Sequence, residues 1–254
     1  MRRKLIAANW KMNHTLDEAI NFFNDLPFEK ISKCDADIVI FPPFPLIHTL
    51  RQYIQGTPIT LGAQNINENP KGAFTGEVSA SILKSVGAEW VIIGHSERRD
   101  IFKESDEIIS KKLKAAIAEG LKVILCVGEH LDTRRTGQEI ETVKKQLEMD
   151  FFSMISDEMQ MVSIAYEPVW AIGTGLAAKP SDAESMMSFI RDWLDERFGF
   201  DIASSTRILY GGSVTPENIA TFADKLNFDG ALVGGASLNP LSFTDIILAI
   251  IPHP

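Results

Sequence analysis

The stretch MVSIAYEPVWAIGTGLAAKPSDAE, Met161–Glu184, admits two readings that imply different functions. Within it, Gly173-Thr174-Gly175-Leu176-Ala177-Ala178 fits G-x-G-x-x-A, a dinucleotide fingerprint of open, doubly wound sheets. That fingerprint sets its glycines directly after a strand, opening a helix. Here the β-rich run Val162–Glu167 ends at a carboxylate, and Pro168 and four more residues come before the first glycine. The next helix-capping signal is Ser181. The competing reading takes Glu167 as a strand end and the apolar Val169-Trp170-Ala171-Ile172 as the root of a lid. Pro168 disfavours helical backbone at Glu167 and keeps it on the strand end. A lid closing there would exclude water from the carboxylate.

Seven further β-rich runs extend this pattern along the chain: Leu5–Asn9, Ile38–Phe41, Ile59–Gln64, Trp90–Gly94, Val123–Val127, Arg207–Gly211 and Ala231–Gly234. Several are continuous apolar runs, as expected of parallel strands buried on both faces. Helical patterns alternate with them. Thr15–Asn24 opens on a capping pair, Thr15 and Glu18, and Ser105–Glu119 ends at Gly120, in the position of a helix-terminating glycine. Thr136–Glu148 is charged on one side and apolar on the other. Ser181–Phe198 starts on a capping-box pattern, Ser181 with Glu184, and Pro216 stands at a first helical position. Eight such alternations predict a closed (β/α)₈ barrel of eight parallel strands with outer helices, one domain over residues 1–254. An open doubly wound sheet is the alternative, since closure is not visible in a sequence.

The totals fit this reading. The chain has 254 residues, 45% hydrophobic and 23% charged, an ordinary globular composition. A net charge of -9 argues against nucleic-acid or anionic-membrane partners, though not against a small anion held by a local field. No run approaches a membrane span. Cys34 and Cys126 have no C-x-x-C spacing, so no disulfide framework is expected and a cytoplasmic location fits. No metal-ligand spacing of the H-E-x-x-H kind occurs, nor any P-loop, so neither a metal nor a cofactor is expected.

In such barrels chemistry collects at the C-terminal ends of the strands. Those ends carry Asn9-Trp10-Lys11, Gln64-Asn65, His95-Ser96-Glu97, Cys126 with Glu129, Glu167, Gly211-Gly212-Ser213 and Gly234-Gly235. Two successive Gly-Gly turns leading into helices expose backbone N–H groups, and the loops after strands 7 and 8 are the recurrent phosphate site of this fold. Gly-Gly also serves simple tight turns, but two pairs followed by Ser213 favour an anion. Lys11 is either a solvated charge or a stabiliser of developing negative charge. His95 stands at a helix start, which disfavours imidazolium and fits a neutral hydrogen-bond donor; a satisfied buried histidine is the other option. Glu167 is the candidate base. Glu97 and Glu129 sit where structural ion pairs are expected instead.

These segments resemble those of the triosephosphate isomerase family. The resemblance rests on Ala8–Asn13, Gly62–Asn65, Gly72–Glu77, Gly94–Arg99, Cys126–Glu129, Ala165–Gly175, Tyr210–Val214 and Val233–Ser237, in order and suitably spaced. It implies interconversion of dihydroxyacetone phosphate and D-glyceraldehyde 3-phosphate through an enediolate, in glycolysis and gluconeogenesis. It further implies that Glu167 moves the proton, that neutral His95 polarises the carbonyl, and that Lys11 with Asn9 stabilises the anionic intermediate. Gly173, Ser213, Gly234 and Gly235 would hold the phosphate through backbone N–H groups. It also implies a homodimer, with the loop Asn67–Glu77, tipped by Phe74 and Thr75, entering the partner near Asn9 and Lys11. The chain departs from the family pattern at Leu176, Ala177 and Lys179, which predicts altered lid kinetics around intact chemistry. Another phosphate-binding barrel, or a non-catalytic phosphate binder, would lack a lidded Glu167 together with His95 and Lys11.

Overall fold

A computed structural model describes residues 2–172 and 178–251. Its eight strands are β1 (Lys4–Asn9), β2 (Ala36–Phe41), β3 (Ile59–Ala63), β4 (Trp90–Ile93), β5 (Lys122–Val127), β6 (Val162–Tyr166), β7 (Ile208–Tyr210) and β8 (Gly230–Val233). Every neighbouring pair is parallel, and β8 returns to β1 with Ala8 beside Val233, so the sheet closes in sequence order. The open-sheet alternative is thereby excluded. Outside lie α1 (Leu16–Asp25), α2 (Phe44–Leu50), α3 (Ala80–Ser85), α4 (Asp106–Ala118), α5 (Glu139–Asp150), α6 (Pro180–Phe198), α7 (Pro216–Ala223) and α8 (Pro240–Ile250), with shorter helices between some of them.

Strand alternation divides the core into two shells. Ile6, Ala8, Ile38 and Ile40 face the helices, whereas Leu5, Ala7, Val39, Phe41, Ala165 and Leu209 pack inside the barrel. Large and small residues interlock there: a Cβ on Gly62 would lie 2.3 Å from the Phe41 ring, so only glycine leaves that ring its place. Two-residue periodicity carries the inward face on to Asn9 and Glu167 at the C-terminal ends of β1 and β6. The barrel mouth thus receives polar side chains because those positions continue the inward stripe beyond the packed interior.

Local signals account for most helix starts. The Thr15 side chain accepts from Glu18 N–H while Glu18 accepts from Thr15 N–H at 2.7 Å, a complete capping box. Gly120, at φ +74°, follows α4 as expected. Pro216 occupies the first turn of α7, capped by Thr215. One expectation fails and one boundary shifts. The capping box at Ser181 and Glu184 does not form: Pro180, with fixed φ and no N–H, takes the first helical position, so α6 starts on an uncapped Lys179 and Ser181 lies already within it. The helix expected over Thr136–Glu148 is α5, which starts at Glu139 because Gly137 adopts φ +69° between it and the short helix Leu131–Arg135. The sequence reading also passes over α2, α3 and α8. Pro240–Ile250 is apolar almost all round, so it carries no amphipathic period to read. No described helix is long and apolar enough to cross a membrane.

Candidate active site

Asn9, Lys11, His95, Glu167, Ser213, Gly234 and Gly235 all line one cleft of about 290 Å³ at the C-terminal mouth. The structure therefore gathers residues that span most of the chain into one site. Gly173, Leu176 and Ala177 lie outside the described residues.

Lys11 just past β1 has φ +52°, a left-handed conformation uncommon for a residue with a Cβ. Its neighbours hold it there. Its N–H donates to Asn9 Oδ1 at 3.0 Å, and its carbonyl accepts from Gln64 Nε2 at 2.8 Å. Gln64 also donates to Phe41 O at 2.9 Å, tying the ends of β1 and β2 together. Such over-determined strain is characteristic of functional positions. The Lys11 ammonium meets Glu97 Oε1 at 2.6 Å, in line with the ion-pair role expected of Glu97.

His95 caps the short helix Ser96–Asp100. Its Nδ1 accepts the Glu97 backbone N–H at 3.2 Å, so that nitrogen carries no proton and the ring proton is on Nε2. Nε2 points at Glu167 Oε1, 3.1 Å away. The second carboxylate oxygen, Oε2, accepts the Ser96 N–H at 2.9 Å. Glu167 is 2% exposed, and its own N–H donates to Val127 O at 2.8 Å. Two glycines make room for it. A Cβ on Gly128 would lie 1.7 Å from Glu167 O, and one on Gly211 2.9 Å from its Cγ. On the opposite wall a Cβ on Gly235 would meet nothing within 4 Å, which leaves an open cradle beside Gly234 and Lys11.

A buried carboxylate, a histidine, a lysine and two pairs of glycines thus share one cleft. A family model described as triosephosphate isomerase matches residues 4–250. The chain belongs to the triosephosphate isomerase family. It is 48% identical over 248 residues to the triosephosphate isomerase of Finegoldia magna, covering 97% of this chain and 98% of that one. It is 46% identical to the protein of that name from Carboxydothermus hydrogenoformans, covering 97% and 98%. With that from Alkaliphilus oremlandii the identity is 43%, covering 97% and 99%.

The structure fills in the roles of several residues at the strand ends. Glu129, expected in an ion pair, is fully buried and also accepts from Tyr166 Oη at 3.0 Å and Trp170 Nε1 at 2.9 Å, beside Arg134 at 3.2 Å. It thereby anchors the residues on either side of Glu167 and Pro168. Asn65, at the end of β3, bonds the buried Lys112 ammonium at 2.8 Å and serves the scaffold. Gln64 and Gly128 act only through close approach, which no motif announces. Cys126 lies inside the barrel, where burial, reinforced by the Glu167 carboxylate, pushes its thiol well above the usual range; it is an inert packing residue.

Proposed function

We propose that this cleft interconverts dihydroxyacetone phosphate and D-glyceraldehyde 3-phosphate through an enediolate, in glycolysis and gluconeogenesis in the cytoplasm. The 3.1 Å approach of His95 Nε2 to Glu167 Oε1 carries this reading. It brings together a base and a donor whose proton is already turned toward the space a carbonyl would fill. Triosephosphate isomerases themselves illustrate this division of labour between a glutamate base and a neutral imidazole.

In the reaction, substrate displaces the contact between the two side chains. Glu167 takes a proton from one carbon and returns it to the next. His95 donates from Nε2 to the oxygen that gains negative charge, bringing no net charge of its own. Lys11, steadied by Asn9, supplies the positive field. Backbone N–H groups at Ser213, Gly234 and Gly235 hold the phosphate, and the expected contribution of Gly173 belongs with them. The acid left on Glu167 and the enediolate are both lost to bulk water unless the site stays dry, and the near-complete burial of Glu167 serves that end. No metal or cofactor enters the scheme.

The same reading includes a homodimer. Pro70–Glu77 is exposed throughout, with Phe74 at its tip. Met12, Ile101 and Phe102 are exposed apolar residues near the mouth, beside a second hollow lined by Lys11, Gln64 and Arg98. A partner loop seated there would bring the partner subunit's Thr75 to Asn9 and Lys11. Full activity of a monomer at high dilution would contradict this.

A coupled isomerase assay on wild type and Glu167→Gln tests the proposal. Turnover of triose phosphates by wild type, lost in the variant, is the expected result. An inactive wild type removes the proposed function, and an unimpaired variant removes Glu167 as the base.

A further inference from the structure

Arg99, on the short helix Ser96–Asp100, joins the ends of two strands. Its Nε donates to Gly94 O at 2.8 Å, just past β4, and its Nη2 to Cys126 O at 3.0 Å, near the end of β5. His95 follows Gly94 directly. Cys126 is followed by Val127, whose carbonyl accepts the Glu167 N–H. The guanidinium thus bridges the backbone on which the two reacting side chains are mounted. Gly94 makes this approach possible: it has φ +73°, and a Cβ there would lie 2.9 Å from Arg99 Nη2 and 3.1 Å from Cys126 O.

Two carboxylates hold this guanidinium. Asp106, the first residue of α4, meets Nη1, and Asp150, the last residue of α5, meets Nη2 at 2.5 Å. One acid balances one arginine, so the second is a surplus charge. Asp150 is fully buried, and its Oδ1 has no hydrogen-bond partner among the described residues. Such a group costs stability when ionised. The titratable groups facing it are Arg99 from the short helix, Asp106 from α4 and the Cys126 thiol from β5, with Glu167 beyond. Burial first, and then the Asp106 charge, push its carboxyl up to about 7 against the pull of Arg99. We propose that Asp150 is a positioning residue for the isomerisation: its ionised carboxylate fixes the Arg99 fork on Gly94 O and Cys126 O, and so sets the spacing of His95 and Glu167.

The planar fork explains how a residue outside the cleft acts inside it. Nη2 carries two hydrogens. Asp150 takes one and Cys126 O the other, so the pull of Asp150 fixes the direction in which the second hydrogen points. A bond between two ionised groups holds that direction more firmly than one to a neutral acceptor. A proton on Asp150 leaves its shape but removes the charge, and the brace slackens. The Gly-Gly turns proposed to hold the phosphate follow β7 and β8, away from the bridged strands, so the brace bears on the chemical step and not on phosphate binding. Small displacements of reacting groups are costly there.

The role of Asp150 rests on His95 and Glu167 acting as proposed above, and the test separates the two. The kcat and KM of wild type and Asp150→Asn, which keeps the shape and removes the charge, are measured across the neutral range. Below about pH 6, where Asp150 itself carries a proton, the two enzymes should turn over nearly alike. Above about pH 8 wild type should be about threefold faster, with KM within about twofold throughout. Asp150→Ala, which removes the acceptor as well, should lose about tenfold in kcat at the higher pH. A purely structural role gives a kcat ratio that does not change with pH, and that result overturns the proposal, as does a change confined to KM. Urea unfolding supplies a readout apart from activity. Native Asp150 keeps its proton to a higher pH than the unfolded chain does, so wild type should lose stability relative to Asp150→Asn as pH rises from about 4 to about 7. A stability difference that stays flat over that range also overturns the proposal. A wild type inactive on triose phosphates removes the functional reading first, and the role of Asp150 with it, whatever the unfolding curves show.

Discussion

The two ends of the barrel use the same residue types to opposite effect. At the N-terminal end, Asp229 accepts from Arg2 Nε at 2.7 Å, Arg191 Nη2 at 2.8 Å and Ile208 N–H at 2.9 Å. Arg207 meets Asp37 at 2.5 Å, and Arg3 joins Asp37 at 3.1 Å. These charges saturate one another with partners fixed in the scaffold. At the C-terminal mouth, Glu167, His95 and Lys11 also have partners, but those partners are one another or residues of the same rim. A substrate offering a carbonyl and a phosphate can replace those contacts, whereas nothing replaces those of Asp229. The charge clusters below therefore stabilise the fold, and those above are held in readiness, as expected of a barrel whose loops carry the chemistry.

Substitutions at the two ends should separate accordingly. Glu167→Gln should lower kcat by about 10²–10⁴-fold, the usual worth of a positioned base, while the melting temperature stays near that of wild type. Steady-state kinetics and calorimetry on one preparation check this. Asp229→Ala should do the reverse. It strands two arginines that are mostly buried and should cost about 3 kcal/mol in denaturant unfolding, with kcat preserved in the folded fraction. Loss of turnover without loss of stability there would break the contrast. Gln64→Ala probes the join between scaffold and site. With the clamp on Lys11 O gone, kcat/KM should fall about tenfold through misplacement of the lysine, against about 1 kcal/mol of stability. Thr15→Ala is the smallest and purely local case: removing the cap of α1 should cost about 1 kcal/mol and leave the kinetics unchanged.

The sequence exposed the site more fully than the architecture that supports it. Lys11, His95 and Glu167 each follow a β-rich run, and in a barrel that position alone directs a side chain to the mouth. The two Gly-Gly pairs reach the cleft for the same reason. Features that depend on distance through space were not legible. Gly128 reads as an ordinary turn residue until a Cβ there is seen to meet Glu167 O, and Gln64 until its amide is found on two carbonyls. The left-handed backbone of Lys11 has no signature in a lysine. Local grammar also misled where two signals competed. Pro180 overrode the Ser181 capping pattern, and Gly137 moved the start of α5 from Thr136 to Glu139.

The central claim is that Glu167 faces a histidine whose single ring proton is on Nε2. Nitrogen-15 NMR of His95 at neutral pH tests it most directly, with His95→Gln used to assign the signals. The geometry predicts one protonated nitrogen, Nε2, and one bare nitrogen, Nδ1, accepting from Glu97 N–H. Two protonated nitrogens, or a proton on Nδ1, would contradict the account.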